Sequence, residues 1–503
     1  MRKLHVFLIN GIILTAVSLL IRVIMVWFNA YISNKIGAEG MGLYTLVMSV
    51  YTLAVTVAIS GMTLACTRIV AEEEGIGNSY GIRYSVHTCA IFGFLCGTAA
   101  AAVVFIFADF IGTVLLQNEK TILSLRAFAV CLPFLSVSSI LNGYFTSVGR
   151  IVKSSAVQFA ELFTRIFVTA LFLNLIFPKT MEFSCLSVVL GGTIAETMSC
   201  VYYSIIYIAD SRRYRQSGSK KGIKKRILKI AIPVALSSYL KSGLSTIKHI
   251  LIPLQLKKSG LSAEKALSQY GIIHGMVMPV IMFPSAIIMS FSSLILPEFS
   301  QLYVHNSSER IKSAISKTFK ITLLFSIGVS AVFIYYSDFL GTWIYKSAEA
   351  GYYIRLIAPL TVIMYLDTVV DSILKGINQQ VGVVKINIID TVTCIILIYF
   401  LLPAYSTIGY IFVIFVSEIL NGVLSVNMLI RSTEFELRFN DWILKPAIAA
   451  CVTGFCIKYI SIPNTFVSIL VYIAVYAIFL SAFGCLNISG SQYYFRTPKL
   501  FRK

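Results

Sequence analysis

Long apolar runs alternate with short polar stretches along almost the whole chain. A helix needs about 20 predominantly apolar residues to cross the hydrocarbon core of a bilayer. By that length, the pattern predicts about 14 membrane-spanning helices with short connections, and therefore an all-α polytopic membrane protein. The predicted spans lie near residues 5–30, 41–65, 84–109, 121–145, 155–177, 185–208, 229–254, 270–296, 317–337, 352–374, 383–402, 407–430, 443–461 and 464–486.

Composition agrees with this pattern. Of the 503 residues, 57% are hydrophobic and only 13% are charged, whereas soluble proteins carry about 25% charged residues. The net charge of +20 would indicate nucleic-acid binding in a soluble protein. In a membrane protein it follows from Lys and Arg held on the cytoplasmic side. No basic run is interleaved with aromatic residues that would stack on bases, so no nucleic-acid partner is expected.

The ten cysteines lie almost all within apolar runs and show no C-x-x-C pair or His/Cys ligand spacing. We interpret them as small buried hydrophobic residues, and predict neither a metal site nor a disulfide framework. No Walker loop, H-E-x-x-H or G-x-S-x-G motif occurs, so direct use of ATP and hydrolytic chemistry are not expected. The chain is predicted to be no enzyme and to hold no cofactor.

The chain begins with MRK and a long apolar run, which exceeds the core of a cleaved signal peptide and predicts a retained first helix. With the N-terminus inside, an even number of spans places both termini in the cytoplasm. Most Lys and Arg then fall in cytoplasmic loops, as the positive-inside rule requires. The largest basic cluster, SRRYRQSGSKKGIKKR at 211–226, lies near the middle of the chain and predicts a flexible cytoplasmic linker.

A short repeat indicates two related halves. Residues 140–149 read ILNGYFTSVG and residues 373–382 read ILKGINQQVG, with Ile, Leu, Gly, Val and Gly at the same offsets. Each stretch ends one predicted span and opens the next on the cytoplasmic side. Parallel halves with a site between them are a transporter architecture. We therefore expect two pseudo-symmetric six-helix lobes around a central cavity, at 1–210 and 229–430, with a linker at 211–228, two further helices within 431–486 and a cytoplasmic tail at 487–503.

Arg22 is the single charge within the apolar stretch LTAVSLLIRVIMVWF, residues 14–28. A charged side chain at the centre of a bilayer costs about 2.5–3.5 kcal/mol on insertion scales, so it usually faces a cavity or a partner. We interpret Arg22 as a cavity-facing cation that binds an anionic substrate. The alternative is an internal salt bridge to an acid on another helix.

The seventh predicted span carries a stripe of polar residues. Ser238, Lys241, Ser245 and Lys248 recur at spacings of three and four, which places them on one face of a helix. Such a face is expected to meet protein or water instead of lipid. We predict that these four residues contact substrate together with Arg22. A water-lined face without specific binding is the alternative.

Five other intramembrane charges have two interpretations each. Glu161 and Arg165 are spaced i, i+4, which favours an intrahelical ion pair, although both could also line the cavity and contact substrate. Glu196, Asp390 and Glu418 are single acids within apolar spans. Each is predicted either to bind a coupling cation or to pair with a basic residue.

Four further titratable residues have simpler interpretations. His249 and His274 are predicted to be packed histidines, because His249 points away from the polar stripe of the seventh span. Asp367 and Asp371 lie near the cytoplasmic end of the tenth predicted span, where carboxylates reach water.

Three stretches resemble a known family. KIGAEGMGLYTL (35–46) and RIVAEEEGIGN (68–78) resemble segments of bacterial polysaccharide exporters, and YGIIHGMVMPVIMFPSAIIMSFSSLILPEFSQ (270–301) closely resembles the eighth helix of the stage V sporulation protein B group. This group belongs to the multidrug/oligosaccharidyl-lipid/polysaccharide (MOP) exporter superfamily. The resemblance covers the whole chain and implies two helical lobes around a central cavity.

The resemblance also implies a cargo, because related members flip undecaprenyl-linked sugars, above all the peptidoglycan precursor lipid II. In the lipid II flippases, cavity arginines, one of them in the first helix, are thought to hold the pyrophosphate. Arg22 matches that position approximately. The further arginines of those flippases in the second and eighth helices have no counterpart here, whereas Lys241 and Lys248 supply other cations.

The sequence thus predicts a flippase of the bacterial cytoplasmic membrane that moves an undecaprenyl-pyrophosphate-linked oligosaccharide by alternating access, powered by the membrane potential, H⁺ or Na⁺. Its expected partners are this lipid-linked substrate, membrane lipids and cell-wall synthases. A multidrug/cation antiporter of the same superfamily is the first alternative. A polytopic glycosyltransferase or polymerase, and a non-transporting scaffold of cell-wall assembly, are the others.

Overall fold

The computed structural model describes residues 2–59, 61–176, 178, 180–212, 222–304, 308–460 and 463–485. Helices make up nearly all of this part of the chain, which contains no β-strand, so the all-α prediction is confirmed. Half of the predicted linker, residues 213–221, and the whole predicted tail lie outside the described residues. The α-helices are α1 Arg2–Ile59, α2 Met62–Ile76, α3 Ser79–Ile106, α4 Ala108–Phe110, α5 Ile122–Ala129, α6 Leu132–Ser147, α7 Ile151–Leu171, α8 Met181–Ser211, α9 Ile223–Lys258, α10 Ala263–Tyr270, α11 Met278–Met282, α12 Ser285–Val304, α13 Ser308–Tyr345, α14 Ala348–Ile357, α15 Thr361–Gly376, α16 Gln380–Thr433, α17 Lys445–Ile460 and α18 Thr465–Ala482.

Short helical segments of other types adjoin several α-helices. The π-helical segments are Ile111–Leu115, Phe172–Ile176, Gly271–Val277 and Asn440–Leu444, and the 3₁₀ segments are Glu119–Thr121 and Ala358–Leu360.

Two helices are too long for one membrane crossing. A straight helix of the 58 residues of α1 would be roughly 87 Å long at 1.5 Å per residue. α1 is broken at Gly37, where φ is 73°, a conformation that glycine adopts without steric cost. α16, with 54 residues, is broken at Ser406, where φ is 54°. These breaks fall between the first and second and between the eleventh and twelfth predicted spans.

By length and composition, ten stretches of the described chain are long and apolar enough to cross a membrane. The number is eleven if the bent pair Glu119–Ala129 and Leu132–Ser147 forms one span. The chain is a multi-pass membrane protein. The broken helices α1 and α16 each count as one stretch in this number, although each covers two predicted spans. The number of fourteen spans therefore stays a prediction.

The chain packs as two compact units, Met1–Phe283 with Thr391–Val413, and Pro284–Asp390 with Ile414–Lys503. The first unit includes α9, which the sequence repeat assigns to the second lobe. The two units are defined by packing, whereas the two lobes were predicted from a sequence repeat. The units therefore do not test the lobes, which stay a prediction.

In the first unit, α9 lies along the second half of α1 and along α2. Its N-terminal end is held by an ion-pair network. Arg226 contacts Glu72 and, at 2.6 Å, the Oε1 atom of Glu73. The side chain of Glu73 is only 4% exposed and also accepts a hydrogen bond of 2.5 Å from Asn78. These contacts fix the start of α9 against the end of α2.

In the second unit, α13 packs against α14, α15 and α17, and α12 packs against α15. Aromatic side chains fill these contacts. Phe319 of α13 lies with its ring centroid 4.9 Å from that of Phe435 and 6.2 Å from that of Trp442. Tyr476 of α18 donates a 3.0 Å hydrogen bond to the carbonyl oxygen of Leu324, which joins α18 to α13.

Glycines allow a close approach of α1 to α10 and the following π-helical segment. A Cβ atom at Gly42 would meet the backbone oxygen of Leu267, and one at Gly271 would meet the backbone of Ala38 and Gly42. Backbone atoms cannot move aside to make room for a methyl group, whereas the end of a flexible side chain can. This contact therefore requires glycine at both positions.

We predict that Gly42→Ala lowers the free energy of unfolding by about 1–3 kcal/mol, because the added methyl group overpacks this contact. The measurement is thermal unfolding of the purified protein in detergent. Gly75→Ala is the matched control, since a Cβ atom at Gly75 in α2 meets nothing within 4 Å and alanine favours the helix. Equal stability of the two variants would contradict the prediction.

Candidate functional site

A buried ion-pair triad joins α7 and α8 in the first unit. The Nη2 atom of Arg165 lies 2.9 Å from the Oε1 atom of Glu161, one turn earlier, and 2.9 Å from the Oε1 atom of Glu196. The three side chains are 16–25% exposed. The Nε atom of Arg165 is buried without a hydrogen-bond partner among the described residues. With both acids ionised, the triad carries one net negative charge and one unused donor.

The i, i+4 pair predicted between Glu161 and Arg165 is thus present. Of the two interpretations of Glu196, the structure shows pairing with a basic residue, since Glu196 shares Arg165 with Glu161. Whether any of the three contacts substrate or a coupling ion stays a prediction.

Arg165 also faces a small cavity of about 80 Å³. The wall is largely apolar and aromatic, with Tyr51 and Phe128 in an edge-to-face contact whose centroids are 5.4 Å apart. Such walls with a few polar groups are typical of small-molecule sites. The lining residues are Met25, Phe28, Asn29, Ile32, Tyr44, Met48, Tyr51, Phe128, Cys131, Arg165, Val188, Val189, Gly192 and Thr193.

Arg22 lies on α1, close in sequence to residues of α1 that line this cavity. Met25 and Asn29, which line the cavity, are three and seven residues after Arg22, so the three residues share one face of α1. Arg22 is partly buried and does not itself belong to the lining. The structure therefore places Arg22 on the cavity-lining face of α1, one turn away from the lining.

The polar stripe of α9 lies next to a face that packs against α1. On that packed face, Ser242 accepts a 3.2 Å hydrogen bond from Thr56, and Thr246 donates a 3.0 Å bond to the carbonyl oxygen of Ser49. The stripe itself is Ser238, Lys241, Ser245 and Lys248. Lys241 is exposed and the other three are partly buried.

The two lysines of the stripe carry uncompensated charge. Across the described chain, neither Lys241 nor Lys248 has a hydrogen-bond or ion-pair partner. By contrast, Arg22, Glu161, Arg165, Glu196, Asp390 and Glu418 all have interaction partners within the protein. The stripe thus has two positive charges that a bound anion could neutralise.

The remaining predicted acids lie in the second unit. The Oδ1 atom of Asp390 accepts a 2.7 Å hydrogen bond from Ser417, one residue before Glu418 in α16. Both acids make further contacts within the protein. Their role as coupling-ion ligands stays a prediction.

The sequence analysis missed a second polar pair in this unit. Asn421 donates a 3.0 Å hydrogen bond to the Oδ2 atom of Asp367. The Oδ1 atoms of both residues are buried without a partner among the described residues, so Asp367 is held by protein and does not simply reach water. The residues are 54 positions apart, and no local spacing could have paired them. Asp371 instead pairs with Lys375 at 3.2 Å.

We predict that Arg165→Ala lowers the free energy of unfolding by about 3–5 kcal/mol, because it leaves two buried carboxylates without their cation. Arg165→Met combined with Glu161→Gln and Glu196→Gln is expected to lose much less, since no buried charge remains. Arg126→Ala is the control, as its ion pair with Asp109 is exposed and should contribute less than about 1 kcal/mol. Thermal unfolding in detergent measures all three. A triple variant as unstable as Arg165→Ala would show that charge pairing is not the cause.

Comparison with known proteins places this geometry in context. The model of the family "Polysaccharide biosynthesis protein" matches residues 7–303, and the MatE model matches residues 233–400. Stage V sporulation protein B of Bacillus subtilis (strain 168) is 23% identical over 459 residues, which cover 89% of this chain and 88% of that protein. Sporulation protein YkvU of the same organism is 22% identical over 338 residues, covering 66% of this chain and 74% of that protein.

Two solved structures share the fold. The lipid II flippase MurJ in an inward closed conformation gives a TM-score of 0.71 at 14% identity, covering 94% of this chain and 98% of that chain. An inward-facing multidrug resistance MATE family transporter of the MOP superfamily gives a TM-score of 0.63 at 16% identity, covering 84% of this chain and 99% of that chain. These neighbours are transporters, in agreement with the prediction that the chain is no enzyme. With more than half of its length matched by one family model, the chain belongs to the polysaccharide biosynthesis protein family and has the fold of MOP-superfamily transporters.

Proposed function

We propose that this protein translocates an undecaprenyl-pyrophosphate-linked oligosaccharide across the bacterial cytoplasmic membrane by alternating access. Lipid II is the first candidate cargo, followed by other cell-wall or spore-cortex precursors. The observation that carries the proposal is the pair of lysines on α9 without a counter-charge in the described chain. Membership of a polysaccharide biosynthesis family and the resemblance of the fold to a lipid II flippase support the same class of substrate.

The chemistry of the cargo explains the cations. A pyrophosphate cannot cross hydrocarbon unaided, and a lysine in the membrane is itself costly by about 2.5–3.5 kcal/mol. Bringing the two together offsets both costs. In this proposal Lys241 and Lys248 act as point charges, Arg22 adds bidentate contacts, and the hydroxyl groups of Ser238 and Ser245 donate hydrogen bonds. The prenyl tail stays in lipid while the head group passes.

The cavity beside Arg165 suits a different part of the cargo. The positive charge of Arg165 is already shared by Glu161 and Glu196, so we assign this group to sugar hydroxyls and not to the pyrophosphate. The aromatic rings of Tyr44, Tyr51 and the neighbouring wall offer faces for sugar rings.

The energy source follows from the charges. Resetting an empty cationic carrier inward gains about 2.3 kcal/mol per charge per 100 mV from an inside-negative potential. Asp390 and Glu418 are the candidate ligands of a coupling cation, and Glu196 takes that role less readily because Arg165 holds it. We further propose that both termini are cytoplasmic and that cell-wall synthases receive the product.

A multidrug/cation antiporter is the second candidate. The MatE match over residues 233–400 and the resemblance to MATE structures favour it. An antiporter for cationic drugs would gain nothing from the unneutralised lysines of α9, which repel such cargo.

We predict that expression of this protein restores exposure of lipid II on the outer leaflet in cells depleted of their own flippase. An externally added lipid II-cleaving toxin measures the exposure. Arg22→Ala and the double variant Lys241→Ala/Lys248→Ala are expected to lower the rate at least about tenfold, because each lost charged hydrogen bond contributes roughly 1.5–3 kcal/mol.

Lys257→Ala, at the C-terminal end of the same helix, is the matched control and should keep the wild-type rate at equal expression. If inserted wild-type protein restores nothing, lipid II is the wrong cargo and another prenyl-linked glycan takes its place. Efflux of cationic dyes without lipid II exposure would favour the antiporter. If all variants restore exposure equally, the proposed role of the cations is wrong although the flippase function stands.

A further inference from the structure

Two histidines and two tyrosines form a continuous cluster in the first unit. The Nδ1 atom of His249 in α9 lies 3.1 Å from the hydroxyl oxygen of Tyr270. The Nε2 atom of His274 is hydrogen-bonded to the hydroxyl group of Tyr410 in α16. The two imidazole rings meet edge to face with centroids 4.9 Å apart. Together, the four side chains link α9, α10 with its following π-helical segment, and α16.

The position of the cluster is unusual for packed histidines. His274 lies within the π-helical segment Gly271–Val277, and such segments are frequent at functional sites. The tyrosine rings close the deep side, with exposures of 0% for Tyr270 and 2% for Tyr410. Both histidine residues are partly buried.

The surrounding groups leave Lys248 as the neighbouring charge. Among the described residues, Lys248 is the charged group that acts on both imidazole rings. On the α1 side, Met41 and Thr45 pack against the π-helical segment, and neither is titratable. On the α16 side, the titratable groups are Tyr410 itself and Cys394.

The tyrosine partners suit a group that changes its protonation state. A hydroxyl group can donate to a bare imidazole nitrogen and can accept from a protonated one. Each histidine therefore keeps its hydrogen bond whether or not it carries the additional proton. Two imidazolium rings less than 5 Å apart repel each other, so the pair binds a single proton as one coupled unit.

We propose that His249 and His274 form a one-proton site, and that occupation of this site is coupled to binding of the anionic substrate next to Lys248. The first part rests on the geometry of the cluster, and the second part rests on the proposed function.

The direction of the coupling follows from charge. With Lys248 uncompensated, a proton on the neighbouring imidazole pair adds a like charge. When a pyrophosphate neutralises Lys248, that repulsion is removed and the anion attracts the proton. Substrate binding then takes up a proton, and by linkage protonation strengthens substrate binding by the same factor. Release of substrate returns the proton to water.

The proton site is tested without substrate by NMR of the full-length protein with ¹⁵N-labelled histidine in nanodiscs. His249→Gln and His274→Gln assign the signals, and the exposed His87 serves as an internal control. Because Lys248 lacks a counter-charge without substrate, we expect the two rings to be neutral near pH 7 and to take up about one proton together as the pH is lowered. Two rings that each take up a full proton independently, or that take up none down to the pH at which the protein unfolds, overturn the site.

The coupling is tested by adding lipid II to the same nanodiscs in weak buffer with a pH-sensitive dye. We expect proton uptake of up to about one per bound lipid II, lost in His249→Gln and His274→Gln and kept in His87→Gln. Proton release, or binding without any proton change, overturns the coupling. If calorimetry shows that lipid II does not bind at all, the proposed cargo fails, whereas the NMR titration still decides whether the proton site exists.

Discussion

A charge inside hydrocarbon must find a counter-charge, a hydrogen bond or water, and this constraint organises the polar groups of the molecule. Asp210, just beyond the sixth predicted span, shows that the same holds for a charge buried within the protein. Its side chain is 0% exposed and is held by Arg150, by Lys153 at 2.6 Å and by the hydroxyl group of Tyr144 at 2.8 Å. Arg165 satisfies two acids in the same way. Lys241 and Lys248 stand apart because the described chain satisfies neither.

The contrast between these groups separates structure from function. Networks in which every charge already has a partner of opposite sign hold helices together, and adding a ligand to them gains little. Groups with spare charge or spare hydrogen-bonding capacity gain from a ligand. On this criterion the stripe of α9 is the place where cargo is best stabilised, while the oxygens of Asp367 and Asn421 keep unused hydrogen-bonding capacity.

The sequence predicted those features that depend on neighbours along the chain. Hydrophobic runs indicated the helices, and the pair of Glu161 and Arg165 followed from one turn of helix. The partner of Arg165 on α8, the bond between Asp367 and Asn421, and the contact of His249 with His274 could not be predicted, because they join helices whose packing no local pattern specifies. His249 is packed, as its position off the polar stripe predicted, but its contact with Tyr270 could not be predicted because Tyr270 lies on another helix.

The ion pairs of Arg226 have a consequence for the connectivity of the chain. They fix the start of α9 on α2 through Glu72 and Glu73, and the length of α9 then packs on α1. The position of α9 is therefore set by its side-chain contacts and not by chain connection alone. A break in the chain ahead of α9 would leave the contacts that hold α9 on α1 and α2 in place.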